Sequence, residues 1–149
     1  MKIDGIDKKI IRSLIKDARI PILSIARDVG ISGAAIHQRL RKLEKSELID
    51  SYQMKINPKV LGYTTVAFVG VFLETTAVLS SIIKRIKEIK EVVECHYTSG
   101  NFTIFIKVLC KDNEDLMLLL DTKIKIINGV SKFETFISLN QQIDRQIHI

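Results

Sequence analysis

Residues 22–45, ILSIARDVGISGAAIHQRLRKLEK, decide the fold of this chain, because they predict two short helices joined by a glycine turn. Apolar side chains recur at helical spacing along Ile22–Val29. Gly30 supplies the left-handed conformation that ends a helix at low cost, and Ser32 can cap the next helix. Because Ala26 is small, the two helices can cross closely. The pattern predicts a helix-turn-helix, in which the second helix can enter a DNA major groove.

The second of these helices, predicted over Ser32–Lys45, has an apolar face and a basic face. Ile36, Leu40 and Leu43 repeat at i, i+4 and i+7 and form the apolar stripe. The residues that point outward are Ala34, His37, Gln38, Arg41, Lys42 and Lys45. Such turns occur in many helical bundles, and a basic face is commonly just solvated. The order of a small residue, a glycine, a capped helix and a cationic face nevertheless favours DNA recognition.

The recognition surface predicted on this helix separates base contacts from phosphate contacts. Small residues at its N-terminal end allow close approach to DNA. His37 and Gln38 are the candidates for base edges, whereas the arginines and Lys42 are expected at phosphates. Arg39 borders the apolar stripe. The complete predicted set is Ser32, Gly33, Ala34, Ala35, His37, Gln38, Arg39, Arg41 and Lys42.

The positive charge of the chain is concentrated in its first part. The 149 residues carry a net charge of +6. Residues 1–60 contain 13 Lys and Arg against 7 Asp and Glu, and residues 61–149 contain 10 of each kind. Binding by counterion release needs cations where the phosphates will lie. The division therefore predicts a DNA-binding domain at 1–60 and a neutral regulatory or assembly domain at 61–149.

Three helices are expected in the first domain. Ile3–Ala18 is predicted as the helix before the helix-turn-helix, with Asp4 and Asp7 at its positive N-terminal end. So small a unit buries little apolar surface, and we expect a partner subunit or the following segment to support it. Leu48–Ile56 alternates partially and is predicted as a strand or an extended connector.

The second domain alternates strand and helix patterns. Strands are predicted over Thr64–Leu73, Val92–Thr98, Thr103–Cys110 and Val130–Leu139, and helices over Thr76–Ile89 and Glu114–Ile127. The order βαββαβ commonly folds as an antiparallel sheet with both helices on one face. The predicted fold class is therefore α+β, with a three-helix domain followed by a ferredoxin-like (ACT-like) domain.

The first of these strands predicts self-association. Between Val66 and Leu73 both alternating sets of side chains are apolar, with Phe68 and Phe72 on one face. Two helices can cover only the other face. An uncovered apolar sheet promotes aggregation, so a second copy of the chain is expected to cover it. The chain is predicted to be at least a dimer.

Composition excludes several other classes. No apolar run approaches the roughly 18 to 20 residues that cross a bilayer, and the opening is too charged for a signal peptide. We expect a cytoplasmic protein with no membrane partner. Cys95 and Cys110 form no Cys-x-x-Cys or Cys/His pattern, so neither a disulfide framework nor a zinc site is predicted. Both are expected to be buried in strands, and no cofactor, metal site or catalytic residue is predicted.

The whole chain resembles the Lrp/AsnC family of leucine- and asparagine-responsive transcription regulators. Four stretches carry the likeness: IDGIDKKIIRSLIKDAR, IARDVGISGAAIHQRLRKLEKSELI, INPKVLGY and YTSGNFTIFIKV. The family commonly has a glycine-x-x-aspartate motif in the last of these stretches. Here the motif is Gly100-Asn101-Phe102-Thr103, with Thr103 in place of the aspartate, so the chain resembles the AsnC branch more closely than the Lrp branch. The resemblance implies a winged or simple helix-turn-helix, a hinge and a βαββαβ domain that dimerises through its sheet.

The resemblance also implies control by a small amino acid bound between dimers, which commonly assemble into octamers. Asparagine or another polar amino acid is the expected effector. The implied effector-binding residues are Tyr97, Thr98, Ser99, Gly100, Asn101 and Thr103, with Asn140, Gln141 and Gln142 as a second wall. Gly100 permits close approach of the backbone to a zwitterion, and free backbone N–H groups can bind the carboxylate of that zwitterion. An ordinary hairpin turn and a solvated tail are the alternative.

Two other functions stay open at this point. An architectural protein would compact DNA with little sequence reading. Decarboxylases of the haem pathway resemble this family and would use histidines, of which His96 is a candidate. No paired acid–base or nucleophile constellation accompanies His96, so the chain is predicted to be a regulator and not an enzyme.

Overall fold

Three helices form the first unit of the computed structural model, which describes residues 2–149. They are α1 at Gly5–Lys16, α2 at Ile22–Val29 and α3 at Gly33–Lys45. The first helix is shorter than predicted at both ends. Asp4 caps its start by accepting a hydrogen bond from the Asp7 N–H at 2.8 Å, and Asp7 accepts one from the Asp4 N–H in return. Asp17 is extended and ends the helix.

The turn between α2 and α3 has the predicted geometry. Gly30 has a φ of 79°, and its N–H donates to the Ala26 carbonyl, which closes α2. The Ser32 hydroxyl accepts a hydrogen bond from the Ala35 N–H at 3.2 Å and caps α3. Glycine and serine therefore fix where one helix ends and the next begins.

The apolar core of the first unit joins all three helices. Ile10 of α1, Ile25 of α2 and Ile36 of α3 are completely buried. Ile149, distant in sequence, packs partly buried against the same core. The packing of Ile149 supplies support that three short helices need.

The division of the chain differs from the expected one. The first unit comprises the chain up to Lys55 together with Ile143–Ile149, and the second is Ile56–Gln142. The boundary expected near residue 60 thus lies a few residues earlier. Residues 143–149, which the sequence assigned to the second domain, belong to the first because Ile149 joins the helical core.

Residues 46–57 contain neither helix nor strand. Leu48–Ile56 was predicted as a strand or a connector, and it is a connector. A strand needs a hydrogen-bonded neighbour, and this stretch pairs with no other strand in the described part of the chain. Pro58–Leu61 follows as a 3₁₀ turn. The described residues contain no wing strands after α3, so the first unit is a simple helix-turn-helix.

Four antiparallel strands form the sheet of the second unit. They are β1 at Thr65–Leu73, β2 at Val92–Tyr97, β3 at Ile104–Cys110 and β4 at Val130–Ile137. The spatial order is β2-β3-β1-β4, with β1 paired to both β3 and β4. This is the predicted ferredoxin-like arrangement.

Two helices cover one face of this sheet, α4 at Leu79–Lys87 and α5 at Asn113–Leu119. The first is preceded by a 3₁₀ turn at Thr76–Val78, and the second continues as a π-helical turn at Leu120–Ile124. The core between sheet and helices contains the fully buried side chains of Val69, Val71, Ile82, Ile86, Ile104, Ile106, Val108 and Ile124.

The opposite face of the sheet carries a cluster of five phenylalanines. Phe68 and Phe105 stack with ring centroids 5.7 Å apart. Phe102 contacts Phe72, Phe105 and Phe136 at centroid distances of 5.2, 5.8 and 6.0 Å. All five rings are at least partly exposed, because both helices lie on the other face. These five residues are called the aromatic face below.

The two cysteines differ in environment. Cys110 is buried in β3, and burial raises the pKa of its thiol to about 11. Cys95 was expected to be buried but is exposed, because β2 is an edge strand. In residues 2–149 no helix is long and apolar enough to span a bilayer.

Candidate DNA-reading surface and ligand loop

The outward face of α3 forms an open groove, called the reading groove below. Its lining residues are Ala34, His37, Gln38, Arg41, Lys42 and Lys45. All six are exposed, while the opposite side of the helix buries Ile36, Leu40 and Leu43 in the core. Arginine and lysine can pair with phosphates, and glutamine and histidine can bond base edges. The groove therefore combines the two kinds of group that a DNA reader requires.

The N-terminal end of α3 is built from small residues and one leucine. Leu23 of α2 lies beside Gly33, the first residue of α3: a Cβ atom added to Gly33 would be 3.5 Å from Cδ2 of Leu23. Leu23 is 63% exposed. Leu23 thus lies beside the end of the helix that addresses base edges in helix-turn-helix proteins. It was not among the predicted contacts, although a leucine that departs from the apolar stripe of α2 is a signal for it.

Arg39 lies outside the reading groove and is engaged within the unit. Its Nη1 donates to Oδ2 of Asp4 and to Oδ1 of Asp7, both at 2.7 Å. The side chain of Asp7 is only 5% exposed. These two carboxylates also form the reciprocal cap of α1. Arg39 thus fixes α3 on α1, and the phosphate contact expected for it stays a prediction.

Hydrogen bonds within the cluster of Asp4, Asp7 and Arg39 shift the pKa values of Asp4 and Arg39. A hydrogen bond from the Asp7 backbone N–H, followed by one from Arg39, lowers the pKa of Asp4 below its ordinary value of 3.8. Hydrogen bonds to Asp4 and then to Asp7 raise the pKa of Arg39. Asp4 and Arg39 thus each favour the ionised form of the other. The contact between α1 and α3 therefore persists through the neutral pH range.

The hairpin loop between β2 and β3 is fixed at its base and open at its tip. The Thr98 N–H donates to the Thr103 carbonyl at 3.1 Å, and the Thr98 hydroxyl donates to the Phe102 carbonyl. The Thr103 N–H donates to the Val71 carbonyl at 3.0 Å. The exposed residues of the tip are Ser99, Gly100 and Asn101. Thr98 and Thr103 thus shape the loop, and the tip presents polar groups to solvent.

Phe102 holds this loop down on the sheet. A Cβ at Gly70 would lie 2.7 Å from Cε1 of Phe102, with two ring atoms nearer still. Only glycine at position 70 leaves room for the ring to lie on β1. Tyr97, the last residue of β2, is 66% exposed next to the loop.

Asn140–Gln142, the second predicted wall, is exposed at the other end of the sheet. The Ser138 N–H donates to the Val66 carbonyl at 2.8 Å, whereas the loop bonds Val71. Val66 and Val71 are separated by about 16 Å of strand. One chain therefore does not bring the loop and Asn140–Gln142 together.

Histidines and cysteines form no metal-binding cluster in the described ranges. No group of three or more His, Cys, Asp and Glu side chains in residues 2–149 is placed to hold a metal ion. His96 is exposed on β2, with Nε2 3.8 Å from Oε2 of Glu94. His37 lies in the reading groove on α3.

Comparison with models of protein families gives two matches. Residues 3–44 match the AsnC-type helix-turn-helix domain, and residues 66–147 match the Lrp/AsnC ligand binding domain. The first match contains all of α1 and α2 and nearly all of α3. The second contains the sheet except for Thr65, the first residue of β1.

Individual proteins give the same result. Regulatory protein AsnC of Haemophilus influenzae is 38% identical over 145 residues, which are 97% of this chain and 97% of that protein. The solved structure of E. coli AsnC has a TM-score of 0.94 and 33% identity, with 99% of each chain covered. The feast or famine regulatory protein Rv3291c of M. tuberculosis, complexed with L-methionine, has a TM-score of 0.89 and 27% identity over 99% of each chain.

Proposed function

The chain belongs to the Lrp/AsnC family of DNA-binding transcription regulators, and on that basis we propose that its reading groove recognises operator DNA while its second unit assembles copies and binds an amino acid. The family is not one of enzymes, so the decarboxylase alternative is excluded. The observation that carries the proposal is the exposed basic groove on α3, which is presented by a helix-turn-helix whose opposite side is buried. A regulator of this kind acts where the chromosome is, in the cytoplasm.

Within the groove, we assign different tasks to different residues. His37 and Gln38 contact base edges, because they are exposed near the N-terminal end of α3 and can both donate and accept hydrogen bonds. Arg41, Lys42 and Lys45 contact phosphates. The small residues of Ser32, Gly33, Ala34 and Ala35 let the helix approach the bases.

Leu23 adds an apolar contact to this surface. Its exposed side chain lies beside Gly33, at the end of α3 that we expect to face DNA. Most side chains on a DNA-binding surface are polar, so an exposed leucine there needs an apolar partner. In the major groove, the one apolar group on a base edge is the C5-methyl of thymine. Leu23 accordingly contacts a thymine methyl in each half-site.

Pairing of two chains sets the form of the operator. The aromatic face is apolar, uncovered by its own helices and continuous across three strands, which is the property expected of a homodimer interface. A two-fold dimer carries two copies of α3. Its operator is pseudo-palindromic, with half-sites one helical turn or a multiple of it apart. Dimers associate further, to an octamer.

The amino-acid ligand is assigned to the tip of the β2–β3 loop, Ser99–Asn101. These residues are exposed and polar, and Gly100 adds no side chain that would keep a zwitterion from the backbone. The relative from M. tuberculosis binds L-methionine, which supports an amino acid as the class of ligand. Since Asn140–Gln142 lies at the far end of the same sheet, these residues complete a site only when they come from another copy.

DNA selection tests the function directly. Purified full-length protein is mixed with fragmented genomic DNA at physiological salt, and the bound fragments are sequenced. We expect a small set of fragments that share a pseudo-palindrome. Fragments recovered in proportion to their length alone would instead identify an architectural protein.

Calorimetric titration tests the ligand site. A panel of amino acids that includes L-asparagine and L-methionine is titrated into wild type, into Asn101→Ala and into the control Asn128→Ala, which removes the same side chain from an exposed turn. At least one amino acid should bind wild type and the control alike and bind Asn101→Ala at least tenfold more weakly. Equal affinity for both variants would remove the loop from the site.

A further inference from the structure

The segment Ile143–Ile149 follows the second unit in sequence but belongs to the first unit in structure. It contains neither helix nor strand, so it extends neither the sheet nor a helix. The two units are consequently joined by two covalent links, one after Lys55 and one after Gln142.

At least three contacts attach this segment to the first unit. Ile149 packs partly buried against the helical core. Its carbonyl oxygen accepts a hydrogen bond from Nε of Arg12 on α1 at 2.6 Å. Asp144 forms an ion pair with Lys55, the residue at which the first unit ends. The segment therefore touches both the helical core and the other link between the units.

Ile149 is the principal anchor among these contacts. The Lys55–Asp144 pair is largely exposed, and surface ion pairs contribute little and are screened by salt. Ile147, by contrast, is 75% exposed and makes no comparable apolar contact. The partly buried side chain of Ile149 and its exposed hydrogen bond to Arg12 each contribute only modestly to stability, so seating and release of this residue can be shifted by binding elsewhere.

We propose that Ile143–Ile149 is a strap through which the second unit controls the DNA affinity of the first. The packing of Ile149 against the helical core is called its seat. When Ile149 occupies this seat, the strap adds to the core that α1 shares, and α1 in turn holds α3 through the Arg39 contacts. Asn140–Gln142, the proposed ligand residues of the second wall, immediately precede the strap. A ligand or neighbouring subunit that engages those residues biases the strap toward its seated or released state. The link to DNA rests on the function proposed above for the reading groove.

Two full-length variants test two things separately: the packing of Ile149 in its seat, and the covalent link after Gln142. Ile149→Asp puts a charge into the apolar seat, and Ile147→Asp is its control, with the same change at an exposed position of the same segment. A second variant inserts Gly-Ser-Gly-Ser between Gln142 and Ile143, which slackens the link and leaves the seat intact. Hydrogen exchange at the amides of Ile10 and Ile11 in α1 reports the seat without any DNA.

The expected results differ between the variants. Ile149→Asp should speed exchange in α1 at least tenfold and weaken operator binding at least fivefold, while Ile147→Asp matches wild type. The insertion should leave exchange unchanged and abolish the effect of L-asparagine or L-methionine on operator affinity. Equal exchange rates in Ile149→Asp and Ile147→Asp would contradict the claim that Ile149 stabilises the helical core. An insertion variant whose operator affinity responds to amino acids as fully as the wild type would contradict the claim that the strap couples the two units. A wild-type protein that binds no operator contradicts the proposed function instead, and the exchange result still decides the seat.

Discussion

At the scale of single residues, the buried carboxylate of Asp7 connects the two helices on which DNA reading depends. One oxygen accepts a hydrogen bond from the Asp4 N–H at the start of α1, and the other accepts one from Arg39 of α3. The arginine does not line the reading groove. Through its contacts with Asp4 and Asp7 it holds α3, the helix that carries the groove, on α1.

Replacement of Asp7 tests this connection. Asp7→Ala removes the reciprocal half of the α1 cap, the bond from the Asp4 N–H, and leaves Arg39 with Asp4 alone. We expect the free energy of unfolding to fall by about 1–3 kcal/mol. Asp28→Ala, a change at an exposed position on α2, should alter it by less than about 0.5 kcal/mol. Urea denaturation followed by circular dichroism measures both. Equal stability of the two variants would mean that the Asp7 contacts add nothing.

The contact of Leu23 with thymine has its own test, in which the methyl group is removed from the DNA. Uracil replaces each operator thymine in turn, and operator affinity is measured for wild type and for Leu23→Ala. At one position in each half-site, uracil should weaken wild-type binding several-fold and leave Leu23→Ala unaffected. If every substitution affects both proteins equally, Leu23 contacts no methyl group.

Sequence alone could not show what Arg39 and Leu23 contact within the unit, and the physical reasons differ. The carboxylates that hold Arg39 lie 32 and 35 residues earlier in the chain, and helical periodicity reports nothing about contacts across such distances. Leu23 departs visibly from the apolar stripe of its helix, but only the contact with Gly33 identifies what its side chain faces. Local signals such as the Gly30 turn and the Ser32 cap were predicted and are confirmed.

At the scale of secondary-structure elements, the β2–β3 hairpin is joined to the aromatic face by Phe102. The ring lies over Gly70 and contacts phenylalanines of three strands, so the loop that carries the proposed ligand residues is not an independent turn. The loop and the assembly surface share this one side chain. A change at either is therefore expected to affect the other.

Gly70→Ala tests that link. The added methyl group clashes with the Phe102 ring, and we expect a loss of about 1–3 kcal/mol in the stability of the second unit together with weaker amino-acid binding. Gly5→Ala is the matched control, because no atom lies within 4 Å of the added group there. Thermal unfolding and calorimetry measure the two effects. Wild-type behaviour of Gly70→Ala in both would contradict the packing of Phe102.

Most elements followed from periodicity, and the exceptions have a common cause. All four strands and all five helices lie where apolar patterns predicted them, with ends shifted by caps and turns. Leu48–Ile56 alternates but forms no strand, since alternation reports a half-buried surface and not the presence of a pairing neighbour. Ile149 joins the helical core through a contact that spans nearly the whole sequence, which no local pattern contains.

At the scale of the whole molecule, charge and apolar surface are divided between the two units. The reading groove belongs to the first unit, which carries the net positive charge, and the aromatic face belongs to the second. A basic unit that binds DNA weakly by itself gains affinity when a dimer presents two copies at a fixed spacing. On the proposed function, we therefore expect operator recognition to depend on the aromatic face as well as on the reading groove.

Charge placed on the aromatic face should break the dimer. Phe136 is 49% exposed there, and Phe136→Asp is expected to shift the molecular mass measured by light scattering from at least a dimer toward a monomer. Ile15→Asp, at a similarly exposed position of the first unit, should leave the mass unchanged. A Phe136→Asp protein that keeps the wild-type mass would place the interface elsewhere.

The central claim is that the reading groove on α3 reads DNA sequence, and the most direct measurement is the ratio of affinities for operator and for scrambled DNA as salt is varied. Gln38→Ala should lose about 1–3 kcal/mol on the operator and nothing on scrambled DNA. Lys42→Ala should weaken binding to both by the same factor and reduce the salt slope by about 1. If both variants instead weaken the two DNAs equally, α3 reads no sequence and the account is contradicted.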